Sequence, residues 1–129
     1  MNKVNSQDLK WQEIKFYIEL KIIKGELKSG DKLPSVREAA GEYNITKETA
    51  AKVYIKLEEE GVIMKRADTT RYYVKPFTAT SLKNKHITNL KNEVEEIINK
   101  AKNINANYEE IKPMRDLLEA YLNSLGSLK

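Results

Sequence analysis

Four cations, Lys65, Arg66, Arg71 and Lys75, stand against a single acid, Asp68, in one short stretch near the middle of the chain. Side chains of this kind displace counterions from a phosphate backbone, which suits the stretch to a nucleic acid or another polyanion. The stretch carries three units of the net +4 held by the whole 129-residue chain. A charged hairpin edge also discourages aggregation, but the concentration of charge favours an anionic partner. Upstream, Thr46-Lys47-Glu48-Thr49 opens a helical pattern, with Lys52 one turn on. Lys donates to guanine, Thr bonds to a base or a phosphate, and Glu accepts from the cytosine amino group. Thr46 also suits an N-cap, and Glu48 suits the positive end of a helix dipole. Arg37, on the exposed face of the preceding helix, is a candidate phosphate contact.

Catalytic chemistry is short of parts. With no cysteine, thiolate zinc sites, disulfide scaffolds and thiol nucleophiles are excluded. His86 is the single histidine, which leaves no His-rich metal centre; it is expected at the surface. Gly25 to Lys32 superficially resembles a phosphate loop. However, Leu33-Pro34 stands where a magnesium-binding hydroxyl belongs, and no strand precedes it. Glu58-Glu59-Glu60 reads as a solvated run at a helix end. Tyr72-Tyr73 could stack on bases, yet strand alternation turns one of them into the core. No pair of titratable groups defines an active site, so neither an enzyme nor a cofactor is expected.

These residues need elements to hold them. Trp11, Ile14, Ile18 and Ile22, with Tyr17 beside them, predict a helix over about 8–24 that Gly25 ends. Ser35-Val36-Arg37-Glu38 is a capping box opening a short second helix. Thr46 caps a third, whose buried stripe is Ala50, Val53, Tyr54 and Leu57 and whose stop is Gly61. Residues 62–66 and 71–75 then read as two strands around a turn, closed by Pro76. Helix, helix, tight turn, helix and hairpin is the order of a winged helix-turn-helix, in which the second helix of the pair enters the major groove. The fold class is therefore mainly α with a small β-hairpin.

The winged domain is expected over 8–76, a polar linker over 77–85, and a helical hairpin over 86–128. Ile87, Leu90, Val94, Ile97, Ala101 and Ile104 form one seam at steps of three and four. Ile111, Met114, Leu118, Tyr121, Leu125 and Leu128 form a second. Asn103, Asn105 and Asn107 interrupt the pattern, and Pro113, at ~3 kcal/mol for an interior proline, argues against one rod. Two short helices cannot bury two seams alone. A covering surface is implied, either the N-terminal domain or a second copy. No run approaches the ~18 apolar residues of a membrane span, and no signal-like segment opens the chain.

Gly25-Glu26-Leu27, then Gly30-Asp31-Lys32-Leu33-Pro34-Ser35-Val36-Arg37-Glu38-Ala39-Ala40, then Thr49-Ala50-Ala51-Lys52-Val53-Tyr54 and Glu60-Gly61-Val62-Ile63 resemble the GntR family of bacterial transcription regulators. The 51–54 stretch is most similar to its YtrA-type branch, whose short two-helix C-terminal segment dimerises. The resemblance implies that Ser35 and Arg37 contact the operator backbone, that Thr46, Lys47 and Thr49 face the groove, and that Lys65, Arg66 and Arg71 belong to the wing. It implies a homodimer paired through Leu90, Val94, Ile97, Ala101, Leu118, Tyr121 and Leu125. A cytoplasmic, nucleoid-associated repressor bound to double-stranded DNA follows, with no small-molecule effector identified. The family's wing carries Arg-Gly-x-Gly before its aromatic strand, where this chain has Ala67-Asp68-Thr69-Thr70. A winged-helix protein-interaction adaptor is the alternative.

Overall fold

The computed structural model describes residues 6–67 and 69–126, so Asp68 and Leu128 lie outside the described residues. Its elements in order are α1 (Ser6–Ile23), α2 (Val36–Tyr43), α3 (Lys47–Glu59), β1 (Ile63–Lys65), β2 (Tyr72–Val74), α4 (Thr78–Asn103) and α5 (Tyr108–Gly126). The chain divides into one compact unit through His86 and a second from Ile87 onward.

Local signals account for most helix ends. The Ser35 hydroxyl accepts from the Glu38 amide at 3.0 Å, and the Glu38 carboxylate accepts from the Ser35 amide at 2.8 Å. This closes the capping box and satisfies two donors that have no partner within the helix. Thr46 does half of the same task for α3, its oxygen accepting from the Thr49 amide at 3.1 Å. Gly25 and Gly61 stop α1 and α3 with φ of 82° and 76°. A side chain resists that left-handed conformation. Past each glycine the chain turns back: the Glu26 amide donates to the Lys21 carbonyl, and the Val62 amide to the Leu57 carbonyl, the Schellman arrangement.

In the first unit α1, α2 and α3 close over Ile18, Ile22, Ala39, Val53, Tyr54 and Leu57. Trp11 and Ile14 pack at the edge of this core, while Tyr17 is half exposed and meets Tyr43 edge-on. β1 and β2 pair antiparallel with Ile63 opposite Val74 and Lys65 opposite Tyr72. Ile63, Tyr72 and Val74 face inward, and Tyr73 is turned partly outward, as the alternation requires. The free edge of β2 is covered by the 30–33 segment, through the Leu33 amide on the Tyr72 carbonyl and the Val74 amide on the Asp31 carbonyl. Together these elements form a winged helix-turn-helix.

One expectation needs correction, and the place of the break between α4 and α5 is now defined. The stretch read as a linker, 77–85, is helical from Thr78 onward. Leu82 is buried and the Thr78 hydroxyl donates to the Lys75 carbonyl at 3.0 Å, so tertiary contacts hold a segment of unremarkable composition in a helix. Pro113 lies inside α5 without ending it. The break between the two helices falls at Asn105, whose φ is 55°, and the Ala106 amide turns back to the Ala101 carbonyl. Asn107 and Glu110 then form a second capping box, each side chain accepting from the other's amide at 2.9 Å. Asparagine tolerates this left-handed turn, and the break falls among the three asparagines read as interrupting the pattern.

Candidate nucleic-acid interface

The start of α2, the outward face of α3 and the hairpin converge on a groove of about 560 Å³. Ser35 and Arg37 line it from α2, Ala51, Ile55 and Glu58 from α3, and Lys65, Thr70 and Arg71 from the hairpin. Three stretches far apart in the chain thus share one concave surface. Lys47 and Glu48 are exposed in the first turn of α3, and Arg37 is exposed in the first turn of α2. Ala51, Ile55 and Glu58 were not among the expected contacts. They follow Lys47 at helical spacing, on the side opposite the buried stripe, so marking that stripe already marks its complement.

Several expected contacts are otherwise engaged. Thr49 is only 7% exposed and its hydroxyl shares a hydrogen bond with that of Thr46 at 2.8 Å. It belongs to the inward face of α3, because it sits one position before Ala50 at the edge of the buried stripe. Thr46 is exposed but committed as the cap. Lys52 is half buried, with its ammonium 4.8 Å from the Trp11 ring centroid, so it leans on α1. Lys65 and Arg66 rest over the rings of Tyr72 and Tyr73, at 5.1 and 3.9 Å. These aromatics orient the hairpin cations and leave them exposed.

Arg71 departs furthest from expectation. Its guanidinium meets the Glu38 carboxylate at 3.0 Å, tying the returning strand to the start of α2, and its Nε is buried with no hydrogen-bond partner. Hydrogen bonds from the Ser35 amide and hydroxyl, followed by the Arg71 charge, hold the Glu38 carboxyl below its usual range. The wing is therefore braced to the start of α2 by a side-chain ion pair. Arg37 and Lys65 are exposed cations in the groove's lining, and Lys47 and Arg66 are exposed elsewhere on α3 and the hairpin.

The expected pairing residues lie in the second unit. Leu90, Val94, Ile97, Leu118, Tyr121 and Leu125 are between 41% and 61% exposed, and Ala101 is half buried. No described residue of α5 is buried.

A second polar constellation was not anticipated. Glu19 of α1, only 1% exposed, meets Lys15 at 3.1 Å, Lys85 at 3.0 Å and the expected surface residue His86 at 2.9 Å. Glu60 closes the ring, 2.8 Å from Lys15 and 3.0 Å from Lys85. Burial raises the Glu60 pKa, but hydrogen bonds from Lys15 and Lys85 outweigh it and hold the carboxyl below its ordinary range. The same balance leaves Lys85 above the usual lysine value, with burial opposed by the bonds to Glu19 and Glu60. Only Lys15 and Glu19, four apart on α1, offered a local signal.

The description "Bacterial regulatory proteins, gntR family" matches residues 10–68. The transcriptional repressor YtrA of Bacillus subtilis (strain 168), a helix-turn-helix protein, is 37% identical over 79 residues, 59% of this chain and 58% of its own length. This chain thus matches little more than half of that relative. The crystal structure of a transcriptional regulator from Oenococcus oeni superposes with a TM-score of 0.72 at 25% identity, over 92% of this chain and 97% of that one. A GntR-family transcriptional regulator from Listeria monocytogenes gives a TM-score of 0.63 at 28% identity, over 82% and 91%. Among the described residues no helix is long and apolar enough to cross a membrane.

Proposed function

Through residues 10–68 the chain belongs to the GntR family of bacterial regulatory proteins, and on that premise we propose that it is a cytoplasmic, homodimeric repressor binding a pseudo-palindromic operator. The observation that carries this reading is the groove shared by the start of α2, the outward face of α3 and the hairpin, with Arg37 and Lys65 in its lining. The first turn of α3 enters the major groove, where Lys47 donates to guanine and Ala51 and Ile55 offer apolar contact to thymine methyls. Ser35 and Arg37 meet the backbone, and Lys65 and Arg66 track it from the wing, adding affinity more than sequence choice. The exposed seams of α4 and α5 pair with those of a second copy. Two-fold symmetry then places two recognition helices ~34 Å apart, one duplex turn. Repression is carried over from the YtrA relative.

Selection of genomic fragments by the purified chain tests this directly. The expected product is a palindromic motif bound in a salt-dependent manner. Arg37→Ala weakens binding to all sequences alike and reduces the salt slope by about one, as loss of one phosphate contact does. Lys47→Ala changes the motif itself. An unaltered motif rejects the base-reading role, and recovery of no preferred sequence supports the adaptor alternative.

A further inference from the structure

The Glu19 ring lies outside the groove, and its place in the fold identifies its task. Of the α4 residues through His86, only Thr78 and Leu82 are buried. A contact through one leucine excludes water without fixing direction, since the hydrophobic effect is non-directional. Hydrogen bonds do fix direction. Lys85 and His86 follow Leu82 on the same helical face and clasp the two oxygens of one buried carboxylate, while Phe16 of α1 meets the His86 ring edge-on at 5.2 Å. Lys15 and Glu60 complete a closed circuit joining α1, the end of α3 and α4. Buried ion pairs are poor sources of net stability, and their best-attested use is to select one register. The ring therefore defines the root of α4.

We propose that the Glu19 ring is a positioning device that sets which half-site spacing this protein accepts, by holding the root of α4 in one register on α1. The inference rests on the dimeric reading of α4 and α5 given above. Beyond His86, α4 continues to Asn103, a lever of about 25 Å at 1.5 Å per residue. Whatever direction it takes, a 10° error at the root displaces its far end by roughly 4 Å, more than the ~3.4 Å rise of a base pair. A loose root would let two heads accept several spacings; a locked root admits one.

The test uses the full chain and the palindrome recovered by genomic selection, with its centre lengthened or shortened by one or two base pairs, beside a duplex carrying a single half-site. The variants are Glu19→Gln, Lys85→Met and the conservative Lys85→Arg. Lys85 is partly exposed, so its replacement leaves the core intact. The wild type is expected to lose about tenfold or more in affinity per altered spacing, the usual scale of a misplaced base contact. Glu19→Gln and Lys85→Met flatten that profile while binding the half-site like wild type and remaining dimeric in sedimentation. Lys85→Arg keeps the wild-type profile. Dimeric Lys85→Met with an unchanged spacing profile overturns the proposal and leaves the dimeric reading standing. A wild type that sediments as a monomer overturns both.

Discussion

Residues 6–86 and 87–126 carry the same kind of apolar spacing and put it to different use. In the first region the stripe of α3 (Ala50, Val53, Tyr54 and Leu57) is almost wholly buried, because α1, α2 and β1 are there to cover it. In the second, the seams of α4 and α5 repeat at threes and fours just as regularly, yet their large side chains are about half exposed. Periodicity identifies an apolar face; neighbours decide whether it is a core or an interface. Exposed apolar side chains in such rows are the surface that the proposed second copy would cover.

Charging the seams is the harshest way to break the comparison. Val94→Asp combined with Leu118→Asp is expected to abolish the dimer in sedimentation while residues 6–86 keep their melting transition. A dimer that persists would reject the seam assignment. Leu57→Ala, at a side chain with no exposure, should cost about 2–5 kcal/mol in urea denaturation whatever the protein concentration. Leu118→Ala should lower the melting temperature only in a concentration-dependent manner, as expected when stability is shared with assembly. Equal, concentration-independent losses would mean that the second region has a core of its own.

Smaller effects sharpen the first region. Thr46→Ala removes the α3 cap and should destabilise by about 1 kcal/mol, with the salt slope of DNA binding unchanged. A changed slope would restore Thr46 as a phosphate contact. The ion ring adds a pH dependence of known sign. Glu60 sits below its ordinary pKa, so the stability it contributes is present above the unfolded carboxylate range and is lost as pH falls through its folded value. Denaturation midpoints should therefore drop as the pH falls below the ordinary carboxylate range, and Glu60→Gln should shrink that drop. A Glu60→Gln protein with the full acid sensitivity of wild type would assign the effect to other carboxylates.

Much of the fold was legible in the chain. The Ser35–Glu38 box, the Thr46 cap, the stops at Gly25 and Gly61 and the burial of one of the two adjacent tyrosines all appear as read, and that tyrosine is Tyr72. Each depends on residues within four positions of one another, where spacing and backbone geometry are the same thing. The groove was partly legible: Arg37, Lys65 and Arg71 line it and Lys47 is exposed at the start of α3, whereas Thr49 turned inward, Lys52 leaned on Trp11 and the pairing of Arg71 with Glu38 was not foreseen.

What the sequence by itself determined is thus local. It set the caps of α2 and α3 and the stops of α1 and α3, which helix faces are apolar, and that the hairpin is cationic, because those properties follow from neighbouring dihedrals and a fixed period. Tertiary structure alone decided the partners of the charged side chains. Glu38 and Arg71 are 33 positions apart, and Glu19 and His86 are 67 apart. No period links such distances; only packing brings the groups together. It also decided that residues from Thr78 onward are helix, since Leu82 and the Glu19 ring reward a helix there while local composition does not require one.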